Sequence, residues 1–231
     1  FCDKEAKENG YLTDIDGIGS KTASLLKTNG ISNTQTLASY SEKQLGEKLS
    51  KFNDQKYKSA IFIKQAKAYI SGEPYFISKK NDTQDLLEKT CSGFYIFDIE
   101  SNPDDKHDFL YGFLKINNLS MKKEDLIYEP ILNLKNNTGE SYRQIIKILF
   151  SNKQWPVLHY GETEKIAIIY IAKNLNFSFE EIDSLTKRFI DLHTYIRKSW
   201  ILPLKNYGLK TVSNWLGFEW EQKNVSGSKA L

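Results

Sequence analysis

Two acidic residues stand inside the apolar run FYIFDIES at positions 94–101, and their spacing raises a chemical question. Asp98 and Glu100 are two residues apart. In a strand such residues point to one face with about 7 Å between their Cα atoms, so the pair is placed to share a ligand. Phe94 and Ile96 would lie on the same face and Tyr95, Phe97 and Ile99 on the other, the near-continuous pattern of a central strand. Burying an unpaired carboxylate is costly, and two neighbouring ones repel unless a cation intervenes. Hard oxygen ligands select Mg²⁺ or Mn²⁺. Pairs of such ions about 3.5 to 4 Å apart recur in phosphodiester cleavage, one activating water and the other stabilising the leaving oxygen. An isolated DxE also has a plainer reading, two solvated side chains at an exposed strand end, and for the pattern alone that reading is the better one.

The elements that must hold this pair follow from periodicity. GFYIFDIES, DFLYGFLKI and LIYEPILNL read as three strands separated by polar turns, which suggests an antiparallel meander. SYRQIIKILFSN is then a helix, WPVLHY a strand and ETEKIAIIYIAKNL an amphipathic helix. RFIDLHTYI reads as a short strand running into a helix, and YGLKTVSNWLGF as a helix with Gly217 at its C-terminal cap. The expectation is a mixed α/β fold, its sheet part antiparallel and part parallel, flanked by helices.

Before this region, Tyr11 to about Phe76 shows helical spacing and no period-2 pattern. Asn29-Gly30 and Gly72 are stop signals, and Ser41 with Gln44 resembles a capping box. ISKKNDTQDLLEKT is polar, charged and free of aromatics. The domain organisation expected is therefore 1–76 helical, 77–92 linker and 93–231 mixed α/β.

Within the helical part, DIDGIGSKTASLL places Gly17 and Gly19 around Ile18 ahead of a helix. Glycine brings backbone N–H groups close to a ligand, and a helix start favours an anion, so a phosphate fits there with Lys21 adding a charge. Against this, Asp14 and Asp16 precede the turn, and the same glycines serve equally to turn two packed helices. The lysines from Lys43 to Lys67 are interspersed with acids and read as a solvated helix face.

Composition narrows the classes. In 231 residues, 40% are hydrophobic, enough for a large core, while 32 basic against 29 acidic residues leave a formal charge of only +3. Nucleic-acid binding must then come from local patches rather than a global field. Two cysteines, Cys2 and Cys91, exclude a disulfide framework, and no apolar run reaches the roughly 20 residues of a membrane span. A reducing, cytoplasmic setting without membrane contact is expected. The chain opens at Phe1 and stops at Leu231 without a terminator, which reads as a piece of a longer polypeptide.

FDIES, LYGFLKI, HYGETE, DLH, GLK and WLGF together resemble the ribonuclease H-like, DEDD-type exonuclease superfamily, more narrowly the YprB-type domain that accompanies a RecB-like nuclease domain in some bacterial proteins. The likeness covers Gly93 to the end. DIDGIGSKTASLL resembles the helix-hairpin-helix family, which holds nucleic-acid backbones. The resemblance implies a ribonuclease H-like mixed sheet with a small helix-hairpin-helix domain before it, acting as a metal-dependent 3′–5′ exonuclease on DNA or RNA.

On that resemblance Asp98, Glu100 and Glu164 are the metal ligands for Mg²⁺ or Mn²⁺, with glutamate at a position where the superfamily commonly has aspartate. Asp191 matches the DL element, its other reading being a helix N-cap. His159 and Tyr160 are implied to touch substrate or the attacking water, though a lone histidine at a strand end is more often structural. Lys210 is implied to meet a phosphate, and Trp215 and Leu216 are expected in the core. Arg197 and Lys205 read as generic surface cations. A fourth acid is expected on a helix beyond WLGFEW, where no acidic residue follows Glu221, so this stretch is expected to be one ligand short. Cys2 would be the remnant of an iron–sulphur cluster held upstream. The alternative function is a catalytically inactive nucleic-acid-binding or protein-interaction module with a nuclease fold.

Overall fold

The computed structural model describes residues 10–52, 58–77, 80–102, 104, 107–134 and 137–219, the side chains of 80–83 excepted. Two compact units emerge. One comprises the described residues before position 78 together with Arg197–Glu219, and the other those from Lys80 to Ile196.

The first unit opens with a 3₁₀ turn, Leu12–Asp14, followed by helices α1 (Ser20–Thr28), α2 (Thr34–Ser39), α3 (Glu42–Lys48) and α4 (Ser59–Ser71). Local chemistry sets their ends. Ser41 and Gln44 form a reciprocal capping box at the start of α3, and Gly72 closes α4 in the left-handed conformation. Leu12, Ile18, Leu26, Leu37, Leu45 and Phe62 pack into one buried cluster. A two-residue strand, β1 (Tyr75–Phe76), ends this stretch.

The second unit begins with α5 (Lys80–Thr90). The stretch expected as a linker is thus helical: TQDLLEK is rich in good helix formers, and Leu86 packs against the cluster of Phe94, Ile116 and Leu158. Strands β2 (Phe94–Asn102), β3 (His107–Ile116) and β4 (Ile127–Leu132) form the antiparallel meander. Helix α6 (Thr138–Ser151), β5 (Val157–His159), α7 (Thr163–Asn174), α8 (Phe179–Thr186), β6 (Phe189–Asp191) and α9 (Leu192–Ser199) follow. The sheet order is β4-β3-β2-β5-β6, with β2 antiparallel to β3 and parallel to β5, and β5 parallel to β6. This is the mixed α/β architecture expected, with β2 at its centre.

One face of the sheet carries the main core. Tyr95 and Phe97 from β2 pack with Tyr111 and Phe113 from β3 and with Ile145, Leu149, Ile168 and Ile171 from the helices. Phe97 lies directly opposite Phe113 in register, their rings stacked at 4.5 Å, a cross-strand aromatic pair that helps fix the register.

The unit boundary falls within α9. Beyond it, β7 (Trp200–Ile201) pairs antiparallel with β1, Phe76 and Trp200 meet edge to face at 4.8 Å, and α10 (Leu209–Trp215) ends the described chain. Arg197–Glu219, grouped from sequence with the α/β part, therefore packs within the first unit. The pairing of β1 with β7 joins positions more than a hundred residues apart, which no local pattern reveals. Trp215 and Leu216, expected in the core, are exposed, because α10 buries only Val212 and Leu216 stands at its C-terminal cap.

Candidate active site

Strand β2 is where the sheet changes character, with an antiparallel neighbour on one side and a parallel one on the other. In open α/β sheets the crevice outside the carboxyl ends of the strands, at such a switch point, is the usual place for a ligand. Asp98 and Glu100 occupy that end of β2. Both are exposed on the face opposite the main core. The β2–β3 register shifts between Glu100 and Ser101, a bulge of the kind that turns side chains at strand ends.

Glu164 reaches the same region from the first turn of α7, where the helix dipole favours an acid. It is only 5% exposed, and its Oε2 has no hydrogen-bond partner. Desolvation and the charges of Glu164 and Glu100 raise the pKa of Asp98, against a lowering backbone hydrogen bond at Ile99. Asp98 thus senses both other acids. Their donor chemistry fits a hard divalent cation, while the buried Oε2 of Glu164 lies against His159. Among the described residues, however, no group of three or more His, Cys, Asp and Glu side chains is already arranged to hold a metal.

His159 alternates onto the core face, since its neighbour Leu158 pairs with Ile96 on the carboxylate face. Its ring is buried, 5.5 Å from that of Phe189, and Nδ1 lies 3.6 Å from Glu164 Oε2. It contacts a proposed ligand from behind rather than opening to solvent. Tyr160, next along, places its ring 5.4 Å from that of His193.

Asp191 has both oxygens engaged by its own chain. Oδ1 accepts from the backbone N–H groups of Gly161 and His193, each at 2.9 Å, and Oδ2 accepts from the Thr194 hydroxyl at 2.5 Å. Burial raises its pKa, but these hydrogen bonds outweigh burial and hold it below the usual carboxylate range. This is N-cap geometry at the start of α9 with an added clasp on the loop after β5.

In the first unit, Gly17 has φ +80°, a conformation that favours glycine, and Gly19 is the N-cap of α1; both are exposed, as is Lys21 in the first turn. Asp16 is paired with Arg197 at 2.8 Å and Asp14 with Lys205 at 3.0 Å. Two cations read as generic are therefore partners of the acids beside the turn. Arg197 also lies 4.9 Å over the ring of Tyr207, and Lys210 is exposed on α10. Cys2 and the segment after Glu219, where a fourth acid is expected, lie outside the described residues.

One residue near the carboxylates carries no sequence motif. Tyr128 on β4 has its phenol pKa raised by burial and by the charges of Asp98 and Glu100, which puts it beside the pair. Only the strand register reveals it.

A mixed five-stranded sheet with acids at the C-terminal end of its central strand defines an α/β protein with an acidic site at a topological switch point. Residues 95–231 match the family model of the RNase H superfamily, and the chain belongs to that superfamily. No curated protein and no solved structure matches the chain. Among the described residues no helix is long and apolar enough to cross a membrane.

Proposed function

We propose that this chain carries a metal-dependent nuclease site that cleaves phosphodiester bonds in DNA or RNA as a DEDD-type 3′–5′ exonuclease, with Asp98, Glu100 and Glu164 as ligands of Mg²⁺ or Mn²⁺. The observation that carries the reading is that the charges of Glu164 and Glu100 both act on Asp98 at the switch point of a sheet in this superfamily. A bound ion supplies charge stabilisation and an activated water. Glu164 is backed by His159, and Asp191 orders the loop between β5 and α7 by accepting from Gly161. The narrower kinship, a YprB-type domain of a RecB-like nuclease with a helix-hairpin-helix module, rests on the sequence likeness. In that module Gly17, Gly19 and Lys21 hold a nucleic-acid backbone, and Tyr160 and Lys210 meet the substrate.

The reading is tested by titrating Mn²⁺ while following thermal unfolding. Wild type gains stability by mass action, and Asp98→Asn abolishes the gain. Nuclease activity with Mn²⁺ is then compared with that of Glu100→Gln; equal residual rates would remove these carboxylates from the mechanism. A second reading, an inactive nucleic-acid-binding or interaction module, is favoured by the engagement of both Asp191 oxygens in capping. It predicts nucleic-acid retention without any Mn²⁺-linked stabilisation.

A further inference from the structure

Gly112 of β3 lies directly opposite Asp98 in the antiparallel β2–β3 pair, and Pro130 of β4 is its partner on the other side. Tyr128, two residues before Pro130, projects from the same face of β4 and lies across the space that Gly112 leaves open. A Cβ on Gly112 would come within 2.5 Å of the phenol oxygen, 2.8 Å of Cε2 and 3.0 Å of Cζ. Any larger residue at 112 would therefore displace the ring. The glycine acts as a seat, one cross-strand step from Asp98, and Tyr128 nevertheless remains 55% exposed.

We propose that Tyr128, seated on Gly112, is a substrate-positioning residue whose hydroxyl donates a hydrogen bond to a non-bridging phosphate oxygen of the nucleotide held at Asp98 and Glu100. The inference rests on the nuclease reading and adds to it a group outside the acidic set. Carboxylates accept hydrogen bonds and cannot donate them while ionised, so any hydrogen bond to a phosphate beside them comes from another group. A neutral phenol supplies one without competing for the cation. An ordinary phenol titrates at about pH 10, so the proton is in place at neutral pH.

The test separates the ion from the nucleotide. Mn²⁺ affinity and thymidine 5′-monophosphate affinity in saturating Mn²⁺ are measured by calorimetry for wild type, Tyr128→Phe and Gly112→Ala. The proposal expects Mn²⁺ affinity within about twofold of wild type in Tyr128→Phe, and nucleotide binding weakened about tenfold, the order of one lost hydrogen bond to a charged group. Gly112→Ala, which moves the ring, weakens the nucleotide similarly. Tyr128→Phe carries the test alone if Gly112→Ala fails to fold. Wild-type nucleotide affinity in Tyr128→Phe overturns the proposal while leaving the metal site intact. Equal losses of Mn²⁺ and nucleotide also overturn it, because Tyr128 then acts through the carboxylates. No Mn²⁺ binding by wild type removes the nuclease reading, and this inference with it.

Discussion

Oε2 of Glu164 lies 3.6 Å from Nδ1 of His159, and neither that oxygen nor either ring nitrogen of the histidine has a hydrogen-bond partner. Both side chains are almost wholly buried. Polar atoms left unpaired in an interior are costly, so this contact marks a place where stability is lower than packing would allow.

Glu164→Gln should therefore stabilise the metal-free protein while removing its response to metal. The substitution keeps the shape and deletes a charge that acts on Asp98, an effect of roughly 1 kcal/mol at the effective dielectric of a partly buried site. For a chain of this size that is a rise in Tm of about 2–4 °C. Differential scanning fluorimetry with and without Mn²⁺ checks both halves. A lower Tm in the absence of metal would show that the charge is compensated by a partner.

Asp98 and Asp191 should act oppositely on the pH dependence of stability. The pKa of Asp98 is raised in the fold, so the native state holds its proton more tightly than the unfolded chain. Stability therefore falls as pH rises from about 4, the unperturbed carboxylate value, through the raised one. Asp191 is lowered, and its contribution is present above about pH 4 and lost as pH falls through the depressed value. Urea unfolding of metal-free protein from pH 3 upward should show a shallower decline with rising pH in Asp98→Asn. In Asp191→Asn it should show a smaller loss on acidification.

Asp191→Ala should cost about 1–2 kcal/mol, the usual worth of an N-cap together with a hydrogen bond to a charged acceptor. It should leave Mn²⁺ affinity close to that of wild type, since both carboxylate oxygens serve Gly161, His193 and Thr194. Loss of Mn²⁺ binding with unchanged stability would instead make Asp191 a ligand.

Arg188→Ala should be among the more damaging single changes outside the site, at roughly 2–4 kcal/mol. Its Nε donates to Trp155 O at 2.8 Å, Nη1 to Leu149 O at 2.8 Å and Nη2 to Asn152 O at 2.9 Å. One guanidinium thus ties the end of α6 and the loop after it to the residue before β6. A cation at a helix C-terminus is favoured by the dipole, and the fork geometry is peculiar to arginine. Arg188→Lys should recover less than half of the loss in urea unfolding.

The sheet was readable where period and caps agree. FYIFDIES announces a central strand because both faces are apolar up to Asp98, and the meander of β2, β3 and β4 follows from short runs divided by polar turns. Ser41, Gly72 and Gly217 mark helix ends because caps are short-range chemistry. Helix α8 went unread although Ser178 and Glu181 form a capping box at its start. Its eight residues carry too short a periodic pattern to stand out. In α5 the polar composition concealed a helix that Leu86 anchors.

For the acids, the sequence by itself determined that Asp98 and Glu100 share a face, because strand geometry has a period of two. It also determined that Gly17 and Gly19 bracket a turn at a helix start. What it left open required contacts between distant segments. Only the tertiary structure decided that Glu164 is buried against His159, that Asp191 caps α9, that Arg197 and Lys205 pair with Asp16 and Asp14, and that Tyr128 rests on Gly112 beside Asp98. Register across strands and pairing between remote charges depend on loop closure and packing over the whole chain, and no local residue pattern encodes them.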